Sequence, residues 1–194
     1  MPTPLEGIRI LELTRQGPGA FCSRLLADMG AEVIKIDAPA DPKRGTPGSS
    51  KEQRTRRATL DRNKKSIVLD LSQRASQEVL HKIAATCDVI VEGYRPGVAK
   101  RLAVDYETIQ AINPRLIYCS LSGYGQTGPY AELPGHDINY MSMSGVLDVL
   151  GMRDGPPMEP LNLIADLSSA SLHGVIGIVT ALLAPQTTGE GQHL

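Results

Sequence analysis

As far as Gly123 the chain alternates short apolar runs with longer segments whose apolar residues recur at helical spacing. Residues 8–13 (IRILEL), 32–37 (EVIKID), 66–71 (SIVLDL), 88–93 (DVIVEG) and 115–123 (RLIYCSLSG) are rich in Ile, Val and Leu and short, which predicts five strands. Between them, 20–30 (AFCSRLLADMG) reads as a helix closed by Gly30, and 72–86 as a helix that Ser72 is placed to cap. Residues 96–103 and 106–112 predict two shorter helices. Strands alternating with helices predict an α/β fold, a Rossmann-like and mostly parallel sheet flanked by helices on both faces. Such sheets bind ligands beyond the carboxyl ends of their strands.

From Gly135 the pattern changes. Residues 137–150 and 166–184 predict two helices joined by a Pro-rich loop. The second is apolar on nearly every side from Ala170 to Ala184, the signature of a buried helix. Ser171, His173 and Thr180 interrupt it, and the unbroken apolar run falls short of a membrane span. A chain of 194 residues has enough sequence for one core but is expected to leave part of this helix uncovered. The closing TTGEGQHL reads as a turn that leads into further chain.

Composition narrows the classes of partner. With a net charge of −1, neither a nucleic acid nor a membrane surface is expected to bind, and a single Phe with no Trp leaves little for stacking on bases. Cys22, Cys87 and Cys119 are widely separated and form no Cys-x-x-Cys, so they are expected to be reduced, near-core thiols rather than metal ligands. The opening MPTPLEG lacks the charged start and apolar run of a signal peptide, and an intracellular location is expected.

Charge is uneven along the chain. Residues 41–65 carry nine basic side chains (Lys43, Arg44, Lys51, Arg54, Arg56, Arg57, Arg62, Lys64 and Lys65) against three acidic ones (Asp41, Glu52 and Asp61), a local charge of +6. This stretch is either a solvated loop or a cradle for a compact polyanion such as a nucleotide with several phosphates. GYRPG (Gly93, Tyr94, Arg95, Pro96, Gly97) follows a strand directly, so Arg95 is expected at a carboxyl edge and Pro96 at the start of a helix. The turn holding Gly17 and Gly19 resembles a dinucleotide fingerprint. However, Cys22 occupies the third glycine position and Pro18 separates the first two, so nicotinamide binding is not expected. The turn serves instead to bring backbone close to a ligand or another element.

Three residues carry candidate chemistry. His136 and Asp137 stand side by side where the helix at 137–150 begins, and Asp166 follows the apolar pair Ile164–Ala165 ahead of the apolar helix. An Asp at a helix start ordinarily caps free N–H groups, a role open to both Asp137 and Asp166. An imidazole is suited to proton transfer near neutral pH, and a carboxylate placed like Asp166 is suited to acid/base or nucleophilic work.

The chain resembles the family III CoA transferases, and within them the α-methylacyl-CoA racemases. The resemblance is carried in order by PLEGIRILEL, LLADMGAEVIKID, RNKKSIVLDL, DVIVEGYRPGVAKRL, NPRLIYCSLSGYGQTGPY, GHDINYMSMSGVL, PLNLIADL and TTGEGQ. It implies an acyl-CoA ligand and no metal or separate cofactor. The nucleotide end would run along Leu69, Asp70, Leu71 and Ser72, along Gly93–Gly97 and by Arg101. The thioester would lie at Gly135, His136, Asp137, Ile138, Asn139 and Tyr140. GHDINY joined to PLNLIAD implies racemisation of 2-methyl-branched acyl-CoA thioesters, with His136 and Asp166 as the two acid/bases and an enolate between them. Met141 and Met143 are then either acyl contacts or core. The runner-up is CoA transfer between acids with Asp166 as nucleophile, and a third reading is a truncated CoA-binding module without activity.

The resemblance further implies that residues 1–194 are the N-terminal part of a CoA-binding large domain. A small domain, a carboxylate partner for His136 and a returning C-terminal segment would lie elsewhere. The full-length form would be an interlocked homodimer, cytoplasmic or, in a eukaryote, mitochondrial or peroxisomal, and the isolated stretch would be inactive. The sequence departs from the racemase pattern at Ala38, where an Arg that contacts the nucleotide is usual.

Overall fold

The structure, a computed structural model, describes residues 2–14, 17–39 and 59–194. Five strands, β1 (Arg9–Leu13), β2 (Glu32–Asp37), β3 (Lys64–Val68), β4 (Val89–Glu92) and β5 (Ile117–Ser120), form one sheet in the order β3-β2-β1-β4-β5. Every pairing is parallel, with Leu11 opposite both Ile34 and Ile90 and Val91 opposite Cys119. The strand order reverses between β1 and β4, which makes the gap beyond their carboxyl ends the natural ligand crevice.

Alternate side chains build a core on each face, as expected where helices cover both sides of a parallel sheet. Ile10, Val33, Val89, Val91, Ile117 and Cys119 pack with Cys22 and Leu26 of α1 (Pro18–Asp28) and with Val175, Ile178 and Ala181. Leu11, Leu13, Ile36, Ile90 and Tyr118 pack on the other face against α2 (Arg74–Ala84), Val104 and Ile109. Two short helices, α3 (Val98–Arg101) and α4 (Tyr106–Ile112), connect β4 to β5. All three cysteines are free and buried, and burial pushes the Cys87 thiol up to about 11 and the Cys119 thiol to about 12.

Several boundaries differ from the sequence pattern, each for a local reason. β3 runs Lys64–Val68 rather than 66–71, because Asp70 turns the chain: its Oδ1 accepts the Ser72 N–H (3.0 Å) and hydroxyl (2.6 Å). Ser72 therefore caps no helix, and α2 starts after Gln73 without a side-chain cap. The strand expected over 115–123 pairs only at Ile117–Ser120, since β4 ends at Glu92. On its far side the Tyr118 N–H donates to the Gln192 carbonyl and the Leu194 N–H donates to the Tyr118 carbonyl, each at 2.8 Å. The helix expected over 137–150 divides into α5 (Asp137–Met143) and a 3₁₀ turn, Val146–Val149. Gly145, at φ +79°, sits between them in a conformation that no helix interior admits.

The last long helix starts earlier than 166. It opens as a π-helical segment, Leu163–Ser171, and continues as α6 (Leu172–Ala181). Leu163–Ala181 is long and apolar enough to cross a membrane by length and composition. In the fold one side packs against α1 and β5 through Ser171, Gly174, Val175, Ile178 and Ala181, while Leu172, Ile176 and Val179 face outward. A final turn, α7 (Ala184–Thr187), follows.

Candidate active site

His136 and Asp166 stand 30 positions apart in the chain and are joined by packing of α5 against the π-helical segment. The link is Asp137, whose Oδ2 accepts the Asp166 N–H at 2.8 Å. Asp137 does accept a free N–H at a helix start, but one of the neighbouring helix rather than its own. Asp166 is not an N-cap. Asn162 holds that position, and Asp166 lies inside the first turn. The widened π-helical backbone is pinned there by Ser171, whose hydroxyl donates to the carbonyls of Asp166 (3.1 Å) and Pro18 (2.9 Å).

The electrostatics give the carboxylate an unusual proton affinity. Asp166 is half-buried, and burial raises its pKa, with the Asp137 carboxylate adding to the rise and His136 opposing it. His136 itself is exposed, and its backbone is set by Asn139, whose Oδ1 accepts the His136 N–H at 2.9 Å. An accessible imidazole therefore lies within electrostatic reach of a carboxyl group whose proton affinity is raised.

Tyr140 ties this corner to the sheet. Its ring lies so close to Gly123 and Gly135 that a Cβ at either would come within 2.6 Å of ring or hydroxyl atoms. It also packs edge-on to Tyr124, with ring centroids 5.0 Å apart. Burial raises the Tyr140 pKa, Asp166 and Tyr124 add to it, and Arg95 lowers it, so Arg95 belongs to the same cluster. Met141 is buried core, whereas Ile138 and Met143 of α5 are exposed.

The proposed nucleotide residues lie along the same carboxyl edge. Leu69–Ser72 leaves β3, with Leu71 in the core, and Gly93–Gly97 leaves β4. Three strand intervals separate β3 from β4, about 14 Å. Arg95 and Arg101 are both exposed and form no ion pair among the described residues. A cavity of about 460 Å³ is lined by Gly17, Thr59, Leu60, Asn162 and Leu167, none of them among the proposed nucleotide residues. No group of three or more His, Cys, Asp or Glu side chains among the described residues is arranged to hold a metal ion.

The basic stretch lies mostly outside the described residues, and its three described members are otherwise engaged. Arg62 pairs with Asp28, Lys65 with Glu32, and Lys64 lies within the fold, 2.7 Å from Glu12 with both side chains inaccessible. Of these, Lys64 is structural, while Arg62 and Lys65 sit in exposed surface pairs. Sequence reasoning missed the network around Glu12, which accepts the hydroxyls of Thr14 (2.6 Å) and Ser23 (2.7 Å). The signal was an acidic residue in the middle of an otherwise apolar strand.

Comparison with known proteins finds relatives in both sequence and structure. The family model for CoA-transferase family III matches residues 5–194. The chain is 42% identical over 188 residues to human alpha-methylacyl-CoA racemase, covering 97% of this chain and 46% of the relative. It is 39% identical over 191 residues to mouse succinyl-CoA:glutarate CoA-transferase, covering 97% and 44%. The crystal structure of a CaiB/BaiF family protein from Brucella suis superposes with a TM-score of 0.88 at 35% identity, covering 100% of this chain and 53% of that one. The chain thus spans about half the length of the curated relatives it matches.

Proposed function

From the premise that this chain belongs to CoA-transferase family III, we propose that it contributes the acid/base pair of an enzyme that racemises 2-methyl-branched acyl-CoA thioesters. The observation that carries this reading is the junction of His136 and Asp166 through Asp137. One of the two groups removes the α-proton, the electrons move into the thioester carbonyl to give a planar enolate, and the other group returns a proton to the opposite face. Asp166 suits the acid role because its proton affinity is raised, and His136 suits the base role because it is accessible. The CoA moiety runs along the carboxyl edge from Leu69–Ser72 to Arg95, and the acyl chain extends over the exposed apolar side chains of Ile138 and Met143.

A second reading is favoured by the 39% identity to a CoA-transferase. There Asp166 attacks the thioester carbonyl to give an acyl-aspartyl anhydride and CoA thiolate, the thiolate attacks the aspartyl carbonyl and releases the first acid, and the acceptor acid reverses the sequence to leave as the new thioester. The test is solvent-deuterium incorporation at C2 of 2-methylacyl-CoA by the full-length gene product, without an acceptor acid. Incorporation is expected, and His136→Ala lowers it by about 10²–10⁴-fold for the enantiomer whose α-proton His136 removes. Activity that needs an acceptor and survives His136→Ala selects the transferase reading.

A further inference from the structure

We propose that Asp137 is a positioning residue whose buried carboxylate holds Asp166 to the helix start that carries His136, so that the two acid/base groups share one frame. The inference rests on the acid/base reading of that pair. Asp137 is 2% exposed, an uncommon place for a carboxylate. Oδ2 receives the Asp166 N–H, while Oδ1 is buried and accepts nothing among the described residues. Burial without full hydrogen bonding costs free energy, and Asp137 forms no ion pair among the described residues to offset it. Capping one N–H needs only a neutral Asn or Ser. The charge has a second effect, because it helps to hold the neighbouring Asp166 towards its protonated form.

The other titratable groups on the elements around Asp166 are few. His136 precedes α5 and opposes the Asp137 effect, and Tyr140 lies further along the same helix. α1 contributes Arg24, which pairs with Asp28 at 3.5 Å, and α6 contributes His173, whose Nδ1 lies 2.8 Å from the Ser169 carbonyl. Among the described residues, Asp137 is the one carboxylate whose charge acts on Asp166.

The experiment is NMR on the isotope-labelled chain, following hydrogen exchange of the Asp166 amide and titration of its carboxyl carbon. Asp137→Ala is expected to speed exchange of that amide by at least about tenfold, the equivalent of one lost hydrogen bond of roughly 1.4 kcal/mol, while β1 and β4 amides keep their protection. Asp137→Asn keeps an acceptor without the charge. It should restore the protection and lower the Asp166 titration midpoint below that of the wild type. That midpoint decides the matter even if the alanine variant fails to fold, since a purely structural carboxylate would leave it unmoved. An unchanged midpoint in Asp137→Asn, or an unchanged Asp166 amide in a folded Asp137→Ala, overturns the proposal. If both NMR results hold while the full-length product shows no α-hydrogen exchange, the racemase reading falls and the hold of Asp137 on Asp166 stands.

Discussion

At the scale of single residues, the buried pair of Lys64 and Glu12 shows how far charge alone can mislead. Lys64 belongs to a strongly basic run suited to phosphate, yet its ammonium donates to Glu12, the Ser23 hydroxyl and the Ala20 carbonyl inside the fold. Glu12 in turn orients Thr14, whose side chain packs against Gly19 and Gly93 at the crevice between β1 and β4. Removing one partner of such a pair strands a charge in the interior. Lys64→Met is therefore expected to destabilise the chain by about 3–5 kcal/mol in urea unfolding, with Glu12→Gln added to it recovering most of the loss. A wild-type midpoint for Lys64→Met would contradict the assignment. The sequence put Lys64 in the basic stretch ahead of the strand expected at 66–71 and carried no sign of its partner, because ion pairing across strands depends on register.

At the scale of elements, the most legible strands were those buried on both faces. β2 was predicted at its observed bounds, and β1 and β4 to within a residue or two, because continuous runs of Ile, Val and Leu have no other stable placement. The breaks were less legible, since they are set by single local bonds such as the Asp70–Ser72 turn and by Gly145. The site corner shows a similar dependence on one close approach. Tyr140 is wedged between Gly123 and Gly135, and a Cβ at Gly123 would stand 2.1 Å from its hydroxyl oxygen. With Gly135 behind the ring, Tyr140 has little room to yield. Gly123→Ala is expected to cost about 1–3 kcal/mol in chemical denaturation and to disturb the Tyr124–Tyr140 contact. A variant as stable as the wild type, with unaltered Tyr140 ring resonances, would contradict the wedge.

At the scale of the molecule, the parallel sheet gathers loops from β1, β3, β4 and β5 on one edge, and the candidate site is where α5 and the π-helical segment close over that edge. The fold class was legible from the alternation of strands and helices. His136 and Asp166 stood out only as isolated residue types; their pairing was legible through the family resemblance, because nothing in local pattern joins positions so far apart. The Asp166 N–H to Asp137 hydrogen bond that links their elements comes from tertiary packing, and so does the raised proton affinity of Asp166. The central claim is that these two groups act on opposite faces of one α-carbon. The most direct measurement is α-hydrogen exchange of each separate enantiomer of a 2-methylacyl-CoA in deuterated water, using the full-length gene product and its His136→Ala and Asp166→Ala variants. The account predicts that both variants lose interconversion of the enantiomers, and that each variant still washes out the α-hydrogen of one enantiomer, the opposite one in the two cases. Loss of exchange from both enantiomers in Asp166→Ala, with His136→Ala behaving as wild type, would contradict it.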